Sequence, residues 1–329
     1  MDISTANSIS EIDETSWNSL TVNMPFQSHH WYQFVEKVLG EDACPTYVLF
    51  KRNGQPAGGA SFWLVRDEPI PFDSILGKTV KFVFQHWPPL INRSPLSGTS
   101  GLIITDTQPR GDIIREITQI GLRLRREKKA SMLFFDSLDP ETARTWPGAI
   151  PYTYDTPGMV LDITKFRDFD EYMEGLPGKD RRQITHDIRR ITDNGITVLR
   201  HKQLDPDDLD HAERLYRKLE ERKGAERNPW IRQALSNLAC IDGTWLTAHL
   251  ASGELAGCAA LFNDNGAQLM TYLGLSTTTQ YAYFAMLYEG IRIGLEQGLK
   301  FLYWGTGTYA VKERLGFVPI KNDSLAILL

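Results

Sequence analysis

The segment that decides the fold runs from Ala267 to Ile320 and reads AQLMTYLGLSTTTQYAYFAMLYEGIRIGLEQGLKFLYWGTGTYAVKERLGFVPI. Its first part, Gln268–Leu275, is mostly apolar and rich in β-forming residues, which predicts a strand. Apolar residues then recur at three- and four-residue steps up to Gly298, as in a helix that a glycine ends. A second apolar strand is predicted over Phe301–Trp304. The segment therefore predicts a strand–helix–strand unit.

Polar and flexible residues lie at the predicted carboxyl ends of these two strands. Tyr272 is in the first strand, Gly305, Thr306 and Gly307 follow the second, and Lys312 lies in the charged turn beyond them. Ligands of open α/β sheets usually bind at this edge, and glycines permit close approach of a backbone to a substrate. We therefore predict a ligand site here, although a strand-end turn is an equal interpretation of the two glycines.

The hydroxyl residues before the helix have two interpretations. Thr277 and Thr278 could bind a phosphate through their hydroxyls and the N–H groups of the helix N-terminus. Capping of that N-terminus by the same side chains is the simpler interpretation. Upstream, Arg181 and Arg182 lie on a basic helix, and a guanidinium pairs well with phosphate. A run of charges is nevertheless more often a solvated helix face.

The composition is that of a folded globular protein. Of its 329 residues, 42% are hydrophobic and 23% are charged, and the length favours two domains. The formal net charge of −5 argues against DNA as a partner. Its three cysteines and its histidines have no metal-type spacing, so we predict no metal site. We expect a cytoplasmic protein, because no signal-like or membrane-spanning segment is visible.

A short internal repeat suggests that the two halves are related. NGQPAGGASF (53–62) aligns without gaps on SGELAGCAAL (252–261), and each copy is predicted to begin the second strand of a hairpin. A third strand of the first half is predicted at Lys81–Phe84, followed by a proline-rich loop over His86–Ser97. We predict an α/β (α+β) protein of two similar domains, 1–150 and 151–329, with the active cleft in the second.

Several of these stretches together resemble a known family. The tandem halves, PFQSHHW (25–31), LPGKDRRQITHDIRRITDNG (176–195), TYLGLS (271–276) and YWGTGTYAVKERLGF (303–317) are similar to the FemAB-like branch of the GNAT acyltransferases. The resemblance implies two tandem GNAT-like domains, each a mixed sheet flanked by helices. It also implies transfer of an acyl or aminoacyl group to a primary amine, including amines of cell-wall peptide precursors.

The resemblance also implies the co-substrates. The donor would be acyl-CoA or an aminoacyl-tRNA, with no tightly bound cofactor. The loop STTTQYAYF (276–284) contains none of the glycines by which most GNAT proteins hold the pyrophosphate of coenzyme A, and the FemAB-like branch shares this lack. The acceptor would be a small-molecule or peptide amine, and tRNA would be a partner only as donor carrier.

The resemblance assigns roles to two site residues. Lys312 matches the lysine of a turn that lies near the developing oxyanion, and a fixed positive charge there would stabilise that oxyanion. Its alternative is a surface lysine beside Glu313. Tyr272 matches a tyrosine that faces the ligand, and its alternative is a core aromatic with a satisfied hydroxyl.

Two functions of other classes remain open at the level of sequence. A non-catalytic module could recognise a peptidoglycan peptide or a lipid-linked precursor, and it would bind without turnover. A tRNA-binding protein without transfer chemistry is disfavoured by the acidic balance of charge.

Overall fold

The computed structural model describes residues 2–65, 75–105, 110–144, 146, 150–153, 156–225, 227–276 and 281–327. These residues form two compact units, and each unit contains one mixed sheet. The first unit comprises the described residues up to 153 together with 321–327, and the second comprises those within 156–320. Within the described residues, no helix combines the length and the apolar character that a membrane crossing requires.

The first unit begins with a strand and two helices that lead into a hairpin. Its helices are α1 Glu14–Thr21, α2 His29–Leu39, α3 Ile75–His86, α4 Arg110–Glu127 and α5 Pro140–Ala143. Its strands up to the start of the second unit are β1 Asp2–Ala6, β2 Ala43–Arg52, β3 Gln55–Val65, β4 Leu90–Asn92, β5 Leu102–Ile104, β6 Leu133–Leu138 and β7 Ile150–Thr153.

The second unit has the same general plan, with two more helices before its hairpin. Its helices are α6 Phe169–Gly175, α7 Gly178–Asp193, α8 Pro206–Lys223, α9 Ile231–Ser236, α10 Tyr281–Glu296 and α11 Tyr309–Arg314. Its strands are β8 Met159–Asp162, β9 Thr197–His201, β10 Thr244–His249, β11 Leu255–Asp264, β12 Ala267–Leu275, β13 Phe301–Trp304 and β14 Val318–Pro319, and they form a sheet in the order β14-β8-β13-β12-β11-β10-β9.

The last described strand, β15 (Asp323–Ile327), belongs to the first unit. It pairs antiparallel with both β6 and β7, so the first sheet has the order β1-β2-β3-β4-β6-β15-β7, with β5 beside β3. The predicted division at 150/151 assigned this strand to the second domain, which is wrong. Pairing between strands that are far apart in the chain leaves no periodic pattern in the sequence. The pairing of β15 with β6 and β7 could therefore not be predicted from the sequence.

The predicted duplication is visible in the order of the elements. Both repeat segments lie in hairpins, β2–β3 and β10–β11, and Asn53 and Gly54 form the first turn with φ values of 52° and 77°. In each unit a helix then connects two parallel strands, α4 between β4 and β6, and α10 between β12 and β13. The predicted fold class, two GNAT-like domains with mixed sheets, is confirmed.

One predicted strand of the first unit is wrong. Lys81–Phe84 lies in helix α3, and the strand that pairs with β3 is β4, Leu90–Asn92, inside the predicted proline-rich loop. A short apolar run such as KFVF fits either a strand or a helix, because periodicity needs a longer window. The three residues of β4, Leu-Ile-Asn, are all buried, but three residues directly after prolines are too few to predict a strand.

The core of the second unit brings helix α10 close to the sheet. Gly290 and Gly294 face the strands, because a Cβ atom at Gly290 would lie 2.5 Å from Met270 Cε and one at Gly294 would lie 2.6 Å from Leu302 Cδ2. Buried apolar residues such as Ile291 fill the space between the glycines. The helix that joins β12 to β13 is therefore packed directly on both of these strands.

Candidate active site

The candidate site lies where strands β12 and β13 separate. The two strands pair in parallel from Ala267–Phe301 to Met270–Trp304, and there β13 ends. Strand β12 continues to Leu275 beside β11 alone. The two carboxyl ends therefore have no backbone hydrogen bonds to each other, and a cleft opens between them.

This cleft has a volume of about 830 Å³ and is walled by strand ends on one side and helices on the other. The strand ends contribute apolar and backbone surface, whereas α8 contributes charged and aromatic side chains. The described lining residues are Tyr216, Leu219, Glu220, Arg222, Lys223, Ala225, Met270, Thr271, Tyr272, Leu273, Leu275, Ser276, Tyr283, Leu287, Trp304, Gly305, Thr306, Thr308 and Lys312. A cleft of this size accommodates a small organic substrate.

Lys312 is a buried cation in the wall of this cleft. It lies on the short helix α11, is only 5% exposed, and directs its Nζ back to the end of β13. Nζ donates to the carbonyl oxygens of Trp304 at 3.0 Å, Gly305 at 2.6 Å and Thr306 at 3.4 Å. The alternative of a surface lysine beside Glu313 is therefore wrong.

The pKa of Lys312 reflects this environment. Burial and then the positive charge of Lys223 lower it to about 8. The ammonium form consequently predominates at pH 7, where its three carbonyl partners compensate for the water that it has lost.

Tyr272 lies in an irregularity of strand β12. The register with β11 shifts between Cys258 and Ala260, and Tyr272 has a φ of 50°, which a non-glycine residue rarely adopts. The bulge directs a buried ring to the cleft wall, in edge contact with Tyr216 (5.8 Å between ring centroids) and Phe262 (5.7 Å). Burial raises the pKa of its hydroxyl well above the usual value.

The predicted loop after β13 is partly in the cleft. Gly305 and Thr306 line it, and their carbonyls hold Lys312. Gly307, with a φ of 81°, forms the turn before α11 and is not among the described lining residues. Thr308, the next residue, lines the cleft and hydrogen-bonds the Tyr283 hydroxyl at 2.8 Å.

The two arginines predicted to bind phosphate lie outside the described lining of the cleft, and the two threonines with the same predicted role are not described. Thr277 and Thr278 lie outside the described residues. Arg181 and Arg182 are exposed on α7, where Arg181 Nη1 donates to the Glu174 carbonyl at 3.3 Å. Neither arginine belongs to the described lining of this cleft.

Sequence reasoning missed the contribution of helix α8. Tyr216, Glu220 and Lys223 all line the cleft, and none of them was predicted from the sequence as a site residue. The spacing of four and then three residues was the available signal, because it puts all three side chains on one helix face. Asn228, in the loop after α8, interacts through its side chain with the hydroxyls of both Tyr216 and Tyr272.

Comparisons with known proteins agree with this architecture. The family model FemAB-like, described as peptidoglycan biosynthesis/recognition, matches residues 8–329. The crystal structure of FemX is similar over 100% of this chain and 98% of its own, with 12% identity and a TM-score of 0.69. No curated protein matches the sequence.

Two further solved structures share the fold. A tandem GNAT protein from the clavulanic acid biosynthesis pathway covers 99% of this chain and 98% of its own, with 13% identity and a TM-score of 0.61. L-PGS from Bacillus licheniformis covers 95% of this chain and 91% of its own, with 13% identity and a TM-score of 0.56. At these identities the structures establish the fold, and the family model, which spans nearly the whole sequence, establishes the family. This chain therefore belongs to the FemAB-like family and is built from two GNAT-like units.

Proposed function

We propose that this protein transfers an acyl or aminoacyl group from an activated donor to a primary amine, in the cleft between β12 and β13. The observation that carries the proposal is the buried ammonium of Lys312, fixed at the carboxyl end of β13 in the wall of that cleft. A buried charge is costly to maintain, and such groups are concentrated at functional sites.

The chemistry would follow from the position of this charge. The amine attacks the carbonyl carbon of the donor, the carbonyl oxygen becomes an oxyanion, and the tetrahedral intermediate then expels a thiol or a hydroxyl. The amine must lose a proton on the way, and water can accept it. Lys312 would stabilise the oxyanion by its positive charge, which is little screened by water because the side chain is buried.

The hydrogen bonds of Lys312 suggest how a substrate oxygen would reach it. Its three N–H donors are directed at three carbonyls, and the contact with Thr306 O, at 3.4 Å, is the longest. We expect a substrate oxygen to replace this contact, because the bonds to Trp304 O and Gly305 O are shorter. Lys312 would then keep its position while it binds the oxyanion.

The donor and the acceptor follow from the charges and from the family. Arg222 and Lys223 add positive charge to the cleft, which suits a donor with phosphate groups such as acyl-CoA or an aminoacyl-tRNA. Such a donor is a co-substrate and not a bound cofactor. The family description, peptidoglycan biosynthesis/recognition, supports an amine of a peptidoglycan precursor as acceptor.

The test is transfer by the purified protein. Precursor peptides with a free amine are incubated with acyl-CoA or with aminoacyl-tRNA, and mass spectrometry detects the new amide. Lys312→Ala should lower the rate by about a hundredfold or more while the fold is retained. Lys218→Ala, at an exposed position of α8 outside this cleft, should leave the rate unchanged.

Two results would contradict the proposal. Full activity of Lys312→Ala would remove the role of that residue. Tight binding of a precursor by the wild-type protein, without turnover of either donor, would instead favour a recognition protein.

A further inference from the structure

Glu220 is a buried carboxylate in the wall of the cleft. Its side chain is on the face of α8 that carries Tyr216 and Lys223, and the residue is 7% exposed. Among the described residues that line this cleft, it carries the only carboxylate.

The protein satisfies only part of the hydrogen-bonding capacity of Glu220. Oε2 accepts from Arg217 Nη1 at 2.8 Å, and Oε1 accepts from the Asn228 backbone N–H at 2.8 Å. A carboxylate has about four acceptor positions, so both oxygens can accept a further donor. The Arg217 and Asn228 contacts fix the carboxylate in place and leave it able to bind a ligand.

Two tyrosine rings lie on the same part of the cleft wall. Tyr216 is one turn before Glu220 on α8, and its ring meets that of Tyr272 at 66° with 5.8 Å between the centroids. Ring faces attract ammonium groups, and a nearby carboxylate adds charge and a hydrogen-bond acceptor. Carboxylate and rings together are the groups that bind a primary ammonium.

We infer that Glu220, Tyr216 and Tyr272 form a subsite that binds the primary ammonium group of the acceptor before transfer. This inference rests on the proposed function, since it names the part of the cleft that takes the amine. Lys223, three residues after Glu220, is about 4.5 Å further along the helix axis. The cleft therefore has a subsite for a cation next to two positive charges. Lys223 suits the phosphate groups of the donor, and Lys312 suits the oxyanion that forms from the donor carbonyl.

If Glu220 had only a structural role, it would do no more than pair with Arg217 and hold the Asn228 backbone N–H. The same arginine also pairs with Glu213 at 3.4 Å, one turn earlier on α8, and Glu213 does not belong to the described lining of this cleft. Glu213→Gln is therefore a matched control. It weakens the ion pairing of Arg217 and of Arg232, and neither arginine belongs to the described lining of the cleft.

The experiment measures binding of cadaverine, a primary diamine, and of 1,5-pentanediol, a neutral molecule of similar length, by calorimetric titration. Wild-type protein should bind cadaverine at least about tenfold more tightly than the diol, because hydrogen bonds between charged groups are the stronger ones. Glu220→Gln should lose this preference, whereas Glu213→Gln should retain it. Glu220→Asp, which keeps the charge on a shorter side chain, should restore part of it.

Three results would overturn the inference: equal wild-type binding of amine and diol, an unchanged preference in Glu220→Gln, or the same loss in both glutamine variants. If Glu220→Gln does not fold, the wild-type preference and its response to Glu220→Asp decide the matter. Transfer is measured separately. A protein that binds cadaverine through Glu220 but transfers nothing retains the subsite and loses the proposed function. A transferase whose acceptor KM is unchanged in Glu220→Gln loses the subsite and retains the function.

Discussion

Two opposing influences act on the protonation of the Lys312 side chain. Burial and the repulsion from Lys223 favour the neutral amine, whereas the carbonyl oxygens of Trp304, at the end of β13, and of Gly305 favour the ammonium. Burial and Lys223 lower the pKa of Lys312 to about 8, so the residue changes its charge close to physiological pH. If transfer needs the charge, the rate must depend on pH in this range.

We predict an alkaline limb in the pH–rate profile of kcat/KM. Lys312 is charged below a pKa of about 8 and neutral above it, so the oxyanion loses its stabilisation as the pH rises through this value. Lys223→Gln removes a repulsive charge, raises the pKa of Lys312, and should therefore move the limb to higher pH. Lys218→Gln is the control, since Lys218 lies on α8 outside the cleft. A limb at the same pH in all three proteins would show that another group titrates.

Among the elements, helix α10 determines the shape of the cleft, because it packs against strand residues that line it. Gly290 is adjacent to Met270 and Trp304, which both line the cleft, and the Trp304 carbonyl also binds Lys312. Gly294 is one turn further along the same helix and is adjacent to Leu302, which is not in the described lining. Both glycines allow α10 to pack closely on the sheet. Gly290 packs on residues that line the cleft, whereas Gly294 packs on a residue outside the described lining.

We predict that Gly290→Ala and Gly294→Ala destabilise the protein by similar amounts, about 1–3 kcal/mol each, because both add a methyl group to a full interface. Only Gly290→Ala should also lower the rate of transfer, since the Met270 methyl, 2.5 Å from the new Cβ, must move towards the cleft. Chemical denaturation gives the stabilities and the amide-forming assay gives the rates. Equal rates in the two variants would contradict the prediction.

The elements around the site differ in how far sequence could predict them. Strand β12 and helix α10 were predictable, because each has enough residues to show its own periodicity. Strand β13 has only four residues, all apolar, and was predictable from its place after the glycine that ends the helix. The position of Lys312 after them followed from chain order and from the resemblance. The positive φ of Tyr272 was not predictable, since a bulge depends on the register with β11 and tyrosine does not favour this conformation.

The α8 side of the cleft was not predictable as a site for a different reason. A tyrosine on an apolar helix face has the same spacing whether it lies in a core or in a cleft wall. Only the separation of β12 from β13, a property of the assembled sheet, decides between these environments. Glu220 was therefore indistinguishable from an ordinary charged residue of a solvated helix.

For the whole molecule, the important feature is that the second unit lies within the sequence of the first. Strand β15 pairs with β6 and β7 after the chain has completed the second unit. Ser324 strengthens this return, because its hydroxyl donates to Asp136 Oδ1 at 2.7 Å in β6. Leu325, 3% exposed, belongs to the core of the first unit.

We predict that Leu325→Ala destabilises the first unit by about 2–5 kcal/mol, the usual cost of truncating a buried leucine. Amide hydrogen exchange should accelerate in β6, the neighbour of β15, and change little in β12. Val318→Ala, at a position of the second unit that is 57% exposed, is the control and should leave both strands unchanged. Unaltered exchange in β6 would mean that β15 contributes little to the first sheet.

The late return of β15 also affects the protein while it is being made. On the ribosome, β6 and β7 emerge long before the strand that joins them, so their facing edges have no partner while the whole second unit is translated. Unpaired edges invite association with other chains. Nascent chains, and truncated products that stop before Asp323, should therefore be the forms that depend most on chaperones.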